Sequence, residues 1–369
     1  MTLEKLSIEG FKSISQLIDF EIKSLNVLIG ANGAGKSNFV SLFHLLRKMM
    51  DENLQDYIMK SGGPSSFFFN GPKITPEIKM HFMFGDNQYR FTLAMTADEK
   101  LLIKSEEQRY IKSSNWQKKG GDQYESSLKK NKEELGIIGK HGIGHYIYDA
   151  ISKWIAYHFH DTSMFSGMRL SESVDDYKYL RNDARNIAPF LLNLKNNKPD
   201  YYKKIVEVIQ LVAPFFNDFD LIPEQRGPAT VVKLNWSQKG SDYPFAPYQL
   251  SDGTLRFICL AAALLQPELP SCLVIDEPEL GLHPYAIEVL SELIKLASRR
   301  TNLSRIIIST QSPTLLSHFE PKDVIIVDRK DGASTFTRLD KIDLSAWLEE
   351  YSLGEIWCKN LIEGMPSNE

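Results

Sequence analysis

One glycine-rich segment has residue types and spacing that are specific to phosphate binding. Residues 30–37 read GANGAGKS and match the pattern G-x-x-x-x-G-K-[ST] at every position. The glycines let consecutive backbone N–H groups converge on phosphate oxygens, the Lys36 ammonium can neutralise those oxygens, and the Ser37 hydroxyl can ligate Mg²⁺. An ordinary glycine turn before a helix is the alternative. The buried-strand pattern of residues 25–29, directly upstream, favours phosphate binding.

Two consecutive acids follow a second apolar run. Asp276 and Glu277 come directly after residues 272–275, a pattern typical of a strand that is buried on both faces. Such strands end at the sheet edge where ligands collect, so we expect Asp276 to hold Mg²⁺ and Glu277 to polarise an attacking water. Two exposed acids at a strand end are the alternative, which the upstream phosphate loop disfavours.

A second anion-binding feature precedes the acidic strand. Ser251, Asp252 and Gly253 open a predicted helix over 255–265, which brings a hydroxyl, backbone N–H groups and a helix N-terminus together. One phosphate loop is enough for the chain's own nucleotide. The simplest interpretation is that this serine turn contacts the γ-phosphate held by a second copy of the chain.

An α/β framework is needed to bring these residues together. The order of strand, glycine loop and helix over 25–50 begins a βαβ unit, and buried strands alternate with helices again after Gln249. Between these regions we predict antiparallel strands, a polar surface segment at 113–140 and a mainly helical segment. The predicted strands are 78–83, 88–95, 101–110 and 231–236, and the predicted helices are 148–159, 185–196 and 201–214.

Composition describes a globular chain. Its 369 residues are 43% hydrophobic and 24% charged, and the net charge of −4 gives no global electrostatic case for nucleic-acid binding. Cys259, Cys272 and Cys358 form no C-x-x-C pair, which argues against a zinc hook and fits a reducing compartment. No secretory signal is evident, and no apolar run approaches the roughly 20 residues that cross a bilayer. We therefore expect a cytoplasmic protein without a membrane segment.

Five segments occur in a characteristic order along the chain. They read LEKLSIEGFKSI near the N-terminus, then GANGAGKSN, LSDGT, CLVIDEPELGLHP and RIIISTQSP. In these segments the sequence resembles the ABC ATPase superfamily, and within it the RecF/SMC-like branch of small bacterial AAA-family ATPases. The resemblance covers residues 1–50 and 245–330. Transporter ATPases of the superfamily usually have LSGGQ where this chain has LSDGT.

The resemblance implies an α/β fold of the ABC-ATPase head type. Such a head has a mixed central sheet flanked by helices, an antiparallel β subdomain and a helical insertion. The implied domains are a first ATPase lobe with the β subdomain (1–110), a helical or irregular insertion (111–240), a second lobe with signature, Walker B and switch (241–340) and a helical tail (341–369).

The resemblance also implies ATP and Mg²⁺ as cofactors and a homodimer that closes head to tail across shared ATP sites. Gln311 stands where many relatives have a switch histidine, and an amide can orient water but carries no positive charge. We therefore expect slow hydrolysis or a sensing role. The implied ATP-binding residues are Asn32, Gly33, Gly35, Lys36, Ser37 and Asn38 of one copy with Ser251 and Gly253 of the other, the implied metal ligands are Ser37 and Asp276, and the implied catalytic residues are Glu277, Lys36 and Gln311.

Three functions are consistent with these patterns. The first is an ATP-switched dimer in DNA repair or anti-phage defence, with a separately encoded effector such as a nuclease, since only about 40 residues follow Asp328. The second is a non-catalytic nucleotide sensor in a toxin–antitoxin or defence pair. The third is a transport-coupled ATPase, which the LSDGT form disfavours.

Two basic regions admit a nucleic-acid interpretation. One contains Arg181, Arg185 and Lys195, and the other is the lysine-rich segment 118–140 beside Trp116. Charge and stacking in such regions can hold DNA. Solvated helix faces and a plain surface loop are the more common meaning of these patterns.

Overall fold

The computed structural model describes residues 1–134, 141–300 and 304–362. In chain order the strands are β1 (Lys5–Phe11), β2 (Ile14–Glu21), β3 (Leu25–Ile29), β4 (Glu77–Phe84), β5 (Asn87–Met95), β6 (Leu101–Tyr110), β7 (Gln117–Gly120), β8 (Trp154–Tyr157), β9 (Glu172–Ser173), β10 (Phe216–Asp220), β11 (Glu224–Arg226), β12 (Ala229–Val232), β13 (Asn235–Gln238), β14 (Pro244–Phe245), β15 (Cys272–Asp276), β16 (Arg305–Ser309), β17 (Val324–Lys330) and β18 (Ala333–Arg338). The helices are α1 (Lys36–Met50), α2 (Leu54–Lys60), α3 (Leu128–Asn131), α4 (Ile143–Ser152), α5 (Ile187–Asn197), α6 (Pro199–Val212), α7 (Asp252–Leu265), α8 (Pro284–Arg300), α9 (Pro313–Leu316), α10 (Ser345–Leu348) and α11 (Leu353–Cys358).

A mixed six-stranded sheet forms the centre of the molecule, in the order β18-β17-β3-β16-β15-β8. Strands β17, β3, β16, β15 and β8 run parallel, and β18 pairs antiparallel with β17. Every residue of β3 is buried, as expected for a strand that is covered on both faces. Strands β16 and β17 flank β3. The phosphate loop that follows β3 therefore lies between two segments from much later in the chain.

An antiparallel sheet, in the order β2-β1-β4-β5-β6-β7, packs against one side of α1. The inward residues of this sheet share one apolar core with α1 and with Leu28, Val274 and Ile307 of the central sheet. The other face of the central sheet packs on a second core that includes residues of α5, α6, α7 and α8. The predicted α/β class, with a mixed central sheet and an antiparallel subdomain, is confirmed.

One predicted helix is wrong in its second half. The sequence predicted a helix over 148–159, but α4 ends at Ser152 and Trp154–Tyr157 forms β8, which pairs in parallel with β15. The run WIAY fits a strand period as well as a helical one, and pairing with β15 decides between them. The single strand predicted over 231–236 is also wrong, because β12 and β13 belong to two separate three-stranded sheets.

The predicted surface segment is anchored on the antiparallel sheet over its described part, residues 113–134. Strand β7 pairs with β6, and the buried Glu106 carboxylate accepts hydrogen bonds from hydroxyl and backbone groups of this segment. The Trp116 ring has two guanidinium groups over it, those of Arg90 at 4.0 Å and Arg109 at 4.7 Å from the ring centre. This stacking weakens the interpretation of Trp116 as a platform for a base. Residues 135–140 of the prediction lie outside the described residues.

Two expectations concern the chain as a whole. Among the described residues, no helix has the length and apolar character needed to span a membrane. The division at residues 110, 240 and 340 stays a prediction, and strands from both sides of its first boundary, β6 and β7, pair within one sheet.

Candidate functional site

The phosphate loop (residues 30–37) curls between β3 and α1 and depends on glycine at two close approaches. Gly30 has φ 151° and Gly35 has φ 114°. A Cβ at Gly30 would collide with the carbonyl oxygen of Val327, and one at Gly35 would collide with the Ser334 hydroxyl. Helix α1 begins at Lys36, directly after the last glycine of the loop. The N-terminus of the helix therefore points into the loop.

The floor of this loop is built from distant parts of the chain. The Ser334 hydroxyl lies 2.7 Å from the Ser13 hydroxyl and 2.5 Å from the carbonyl oxygen of Ala34. The Asn38 amide, a predicted nucleotide contact, donates to the Ser13 hydroxyl at 2.8 Å. Asn38 therefore supports the loop from below in this structure.

The Lys36 side chain lies inside the curl of the loop. Its Nζ donates to the carbonyl oxygens of Gly30 at 2.6 Å and Ala31 at 3.0 Å, and the residue is only 6% exposed. Burial lowers the pKa of Lys36, while the nearby carboxylates of Glu277 and Asp276 act in the opposite direction. The loop tip and the Ser37 side chain remain open, since Asn32, Gly33 and Ser37 are exposed.

The two acids after β15 have different partners. The Asp276 carboxylate accepts a hydrogen bond from the Ser309 hydroxyl at the end of the adjacent strand β16. Glu277 leaves the strand with φ 44°, its N–H donates to the carbonyl oxygen of Ser309 at 2.9 Å, and its carboxylate accepts a hydrogen bond from the Gln311 amide. The predicted acid pair and Gln311 therefore meet at one sheet edge.

A third carboxylate, that of Glu279, lies beside this pair. The Glu279 Oε1 atom accepts from the Thr310 hydroxyl at 2.6 Å and from the Gln311 N–H at 3.3 Å. Its Oε2 atom is buried without a hydrogen-bond partner among the described residues. Burial raises the pKa of Glu279, with the nearby Glu277 adding to the shift. A buried carboxyl group whose pKa is raised therefore lies next to the predicted acid pair.

The serine turn (Ser251, Asp252 and Gly253) is held by a buried arginine. The Ser251 hydroxyl caps α7 by accepting from the Thr254 N–H at 3.1 Å. The Arg169 guanidinium, with 6% of its side chain exposed, donates to the Asp252 carboxylate at 2.7 Å and to the carbonyl oxygen of Leu250 at 3.1 Å. Ser251 itself is exposed. Among the hydrogen bonds of the described residues, none joins Ser251 to the phosphate loop.

The post-β15 loop (residues 277–283) touches the serine turn's helix. The buried Arg256 of α7 donates to the carbonyl oxygens of Leu280 and, at 2.9 Å, of Phe159. A Cβ at Gly253 would lie 2.6 Å from the carbonyl oxygen of Gly281. The loop that carries Glu277 therefore rests directly on the helix that begins at the serine turn.

Histidines cluster on the other side of Asp276. His160 Nε2 donates to the backbone carbonyl oxygen of Asp276 at 3.0 Å, and the rings of His44 and His158 stack with their Nε2 atoms 2.5 Å apart. Burial lowers the pKa of His44 to about 3, with His158 adding to the shift, so the His44 ring is neutral near pH 7. In the described part of the chain, no group of three or more His, Cys, Asp or Glu residues is arranged to hold a metal.

A family comparison matches most of the chain. The model of the family described as "AAA domain, putative AbiEii toxin, Type IV TA system" matches residues 25–317, which include the phosphate loop, the serine turn and the acidic strand. The chain belongs to this AAA domain family. A comparison with curated protein sequences found no match.

Solved structures with a similar fold include heads of SMC proteins. A crystal structure of an Smc head bound to the C-terminal winged-helix domain of ScpA is 15% identical, with a TM-score of 0.60, and covers 95% of this chain and 100% of its own. An Smc head with an extended coiled coil, bound to the C-terminal domain of ScpA derived from Pyrococcus furiosus, is 16% identical, with a TM-score of 0.54, and covers 95% and 99%. This AAA domain is therefore an AAA-type ATPase domain with the SMC-head fold.

Several residues that build the site of this AAA domain were not predicted. Ser309 and Thr310 end a buried strand, as Asp276 does, so the same strand-end signal could have found them. Arg169 and Arg256 carried no sequence signal, because each acts on backbone carbonyl groups that only folding brings near. The same holds for the pairing of His44 with His158, which lie on α1 and directly after β8.

Proposed function

We propose that this chain binds and hydrolyses ATP, and that it does so when two copies close over shared nucleotides. One observation carries the proposal. Lys36, Asp276 and the Glu277–Gln311 pair meet at one edge of the central sheet, while the exposed, helix-capping Ser251 makes no hydrogen bond to them among the described residues. The chain therefore offers most of an ATPase site and, in addition, an anion-binding turn that this site does not use.

ATP binding is assigned to the phosphate loop. The positive φ angles of Gly30, Gly33 and Gly35 turn successive backbone segments around the space that Lys36 Nζ faces. Oxygen ligands suit Mg²⁺, and the exposed Ser37 hydroxyl and the Asp276 carboxylate supply them, with Ser309 orienting Asp276. When bound, the ion would neutralise charge on the phosphate oxygens. Asn32, at the exposed loop tip, is placed to contact the nucleotide.

Water activation is assigned to Glu277. Its carboxylate is oriented by the Gln311 amide and lies close enough to Lys36 to act on its pKa. A carboxylate that is fixed in this way can orient a water molecule and accept its proton during attack on the γ-phosphate. Gln311 then acts as a neutral orienting group, which fits slow turnover.

The second copy is assigned the role of closing the site. Ser251 offers a hydroxyl and Gly253 a backbone N–H at the N-terminus of the 14-residue helix α7. Two copies related by a two-fold axis would each present this turn to the other's phosphate loop. The contact between Arg256 and the Leu280 carbonyl oxygen gives closure a direct route to Glu277.

Three proteins test the proposal: the unchanged chain, Glu277→Gln and Lys36→Ala. We expect Glu277→Gln to retain ATP affinity, to lose turnover by about 10²–10⁴-fold and to accumulate dimers in ATP, because a general base contributes rate and not ground-state binding. Lys36→Ala should lose nucleotide and remain monomeric. Nucleotide binding by calorimetry, phosphate release and mass from light scattering give the three readouts. Normal hydrolysis by Glu277→Gln, or ATP-loaded chains that never pair, would contradict the proposal.

We also propose a biological setting, a role in anti-phage defence or DNA repair with a separate, nuclease-like effector. The family's description as a putative toxin of a type IV toxin–antitoxin system supports the defence part of this proposal. We propose a cytoplasmic location, because Cys259 and Cys272 are buried free thiols. Stimulation of hydrolysis by duplex or single-stranded DNA would support work on DNA. Hydrolysis that DNA leaves unchanged would favour a partner protein as the trigger.

A non-catalytic sensor is the second candidate, and the hydrogen bond between Gln311 and Glu277 favours it. A carboxylate that is engaged by an amide is less available to water. The two candidates differ in one measurement, since a sensor would form ATP-dependent dimers without releasing phosphate at any protein concentration.

A further inference from the structure

Strand β8 is the last strand of the central sheet, and its outer edge faces a groove. The groove has a volume of about 540 Å³ and is lined by the second half of α1, the chain around Arg181 and the chain between α7 and β15. This volume lies within the range of roughly 300–1,000 Å³ that is typical of ligand sites. We call it the edge groove. It lies outside the phosphate loop and the serine turn.

The outer edge of β8 carries unpaired backbone groups that point into the edge groove. The N–H of His158, just past the strand, donates outward to the carbonyl oxygen of Asn182 at 2.8 Å. Because backbone direction alternates along a strand, Trp154 and Ala156 also direct their N–H and C=O groups outward. No hydrogen bond among the described residues reaches these four groups, although Trp154 is 2% and Ala156 is 8% exposed.

A backbone N–H or C=O group that is nearly buried without a hydrogen-bond partner costs folding free energy. A row of such groups at a sheet edge can pair with another strand. The alternation of these groups suits an extended peptide, which would bond to the outward groups of Trp154 and Ala156 and leave the pairing of β8 with β15 in place. The Asn182 carbonyl oxygen already makes one such bond at the end of the edge. A peptide would continue that ladder along the strand.

The charges of the edge groove select the kind of peptide. Its lining contains five basic side chains, Arg47, Lys48, Lys153, Arg181 and Arg185, against two acidic ones, Asp51 and Glu268. Lys48 makes no hydrogen bond or ion pair among the described residues, and Arg185 has only a distant contact with Asp183 at 3.9 Å. His44, at one end, is neutral because its pKa is lowered to about 3. The groove therefore favours acidic side chains.

We propose that the edge groove binds an extended, acidic peptide segment of a second protein, which adds a strand beside β8. The groove runs along α1 from His44 to Asp51, away from the helix N-terminus that serves the phosphate loop. Peptide binding and ATP-driven pairing of two copies therefore use different surfaces. His44, which lines the groove, contacts His158, and His160 donates to the Asp276 carbonyl oxygen.

The first experiment selects ligands from a displayed library of random octapeptides, with the full nucleotide-free chain as bait. We expect recovered peptides to be enriched in Asp and Glu, and a blocked, fluorescently labelled hit to bind in solution by anisotropy. The variant that combines Lys48→Glu with Arg185→Glu should bind at least about tenfold more weakly, whereas Lys203→Glu with Lys204→Glu, on exposed α6, should bind normally. A library without hits, or hits that ignore the first variant, would overturn the proposal.

The second experiment leaves the protein unchanged and tests strand addition directly. Backbone N-methylation of the hit at alternate positions removes the N–H groups on one edge of the peptide. We expect one methylated register to abolish binding and the other to preserve it, because only one peptide edge faces β8. Equal effects of both registers would exclude strand pairing. Displacement of the hit by inorganic phosphate, with no effect of N-methylation, would mean that the groove is a simple anion site and the proposal is wrong.

Discussion

At the residue scale, the sheet edge combines three acids whose surroundings differ. Asp276 receives the Ser309 hydroxyl, Glu277 receives the Gln311 amide, and Glu279 lies buried with one oxygen unpartnered. Different surroundings give carboxylates different tasks, and the arrangement sets the proposed metal ligand Asp276 and the proposed base Glu277 apart from the buried Glu279. Two predictions follow at this scale.

Glu279 should make the folding stability depend on pH in a defined direction. Its pKa is raised above the usual value of 4.5 by burial, so the native state prefers the protonated form. Stability relative to Glu279→Gln should therefore fall as the pH rises from about 4.5 to the raised native pKa, and stay constant above it. Urea unfolding midpoints between pH 4 and pH 8 measure this difference. Glu349→Gln, at an exposed position, is the control, and a difference that widens in favour of the acid with rising pH would contradict the assignment.

Gln311 should matter for turnover and not for nucleotide affinity. Gln311→Leu removes the amide that orients Glu277, so we expect kcat to fall by about 10–10²-fold with little change in ATP affinity. Gln16→Leu, on the exposed surface of β2, serves as a control. Steady-state hydrolysis and equilibrium binding separate the two effects. Equal loss of affinity and rate would place Gln311 in nucleotide binding instead.

The residues found from sequence alone are those that a strand end or a glycine pattern marks. Asp276 and Glu277 follow an apolar run, and Lys36 follows a full phosphate-loop pattern, so local order located them. Arg169 and Arg256 were not found because they bind backbone carbonyl groups that are distant in the chain. Arg169 donates to the carbonyl oxygen of Pro247 and Arg256 to that of Phe159, each more than 70 residues away. No local pattern records such contacts.

At the element scale, the post-β15 loop packs directly against α7. Arg256 joins α7 to the carbonyl oxygens of Phe159, His160 and Leu280. Gly253 fits against Gly281 only because it has no Cβ. We therefore expect a displacement of the serine turn to move the loop that holds Glu277, because these groups are buried and packed together.

Arg256→Met should destabilise the chain by about 3 kcal/mol, because it leaves several buried carbonyl groups without donors. Turnover should fall as well, since Leu280 loses its anchor. Arg299→Met, in the exposed last turn of α8, should change stability by less than about 0.5 kcal/mol. Urea unfolding of both variants measures the difference. Equal stabilities would show that water replaces the guanidinium without cost.

Strand β8 was predicted as part of a helix, because its local sequence pattern does not distinguish a strand from a helix. Trp154–Tyr157 has apolar residues at every position, which satisfies helical and strand periods alike. These residues form a strand because they pair with the edge of β15, which lies more than 100 positions later in the chain. By contrast, β3 and α1 were predicted with their observed bounds, because the glycines between them mark both ends.

At the scale of the whole molecule, the proposed ATP site takes its phosphate loop from one copy and its serine turn from the other. A chain with a defective phosphate loop keeps a sound serine turn, and the reverse holds for a chain with a defective serine turn. Defects in the two halves should therefore complement one another across a dimer.

Mixing inactive chains tests this complementation. Lys36→Ala and Ser251→Arg should each be inactive alone, but their mixture should recover activity, up to about half of normal, since each mixed dimer contains one intact site of two. Phosphate release at a fixed total protein concentration measures the recovery. A mixture of Lys36→Ala with Glu277→Gln is the control and should stay inactive, because Lys36 and Glu277 belong to the same half. Activity of Ser251→Arg alone would exclude a shared site.

The position of β3 between β16 and β17 has a consequence for biosynthesis. The strand that leads into the phosphate loop is synthesised before both of its neighbours and before Ser334, whose hydroxyl lies beneath Gly35. A growing chain therefore cannot complete this loop until β16, β17 and Ser334 have left the ribosome. Products that terminate before Ser334 should lack the complete loop and be unable to hold nucleotide.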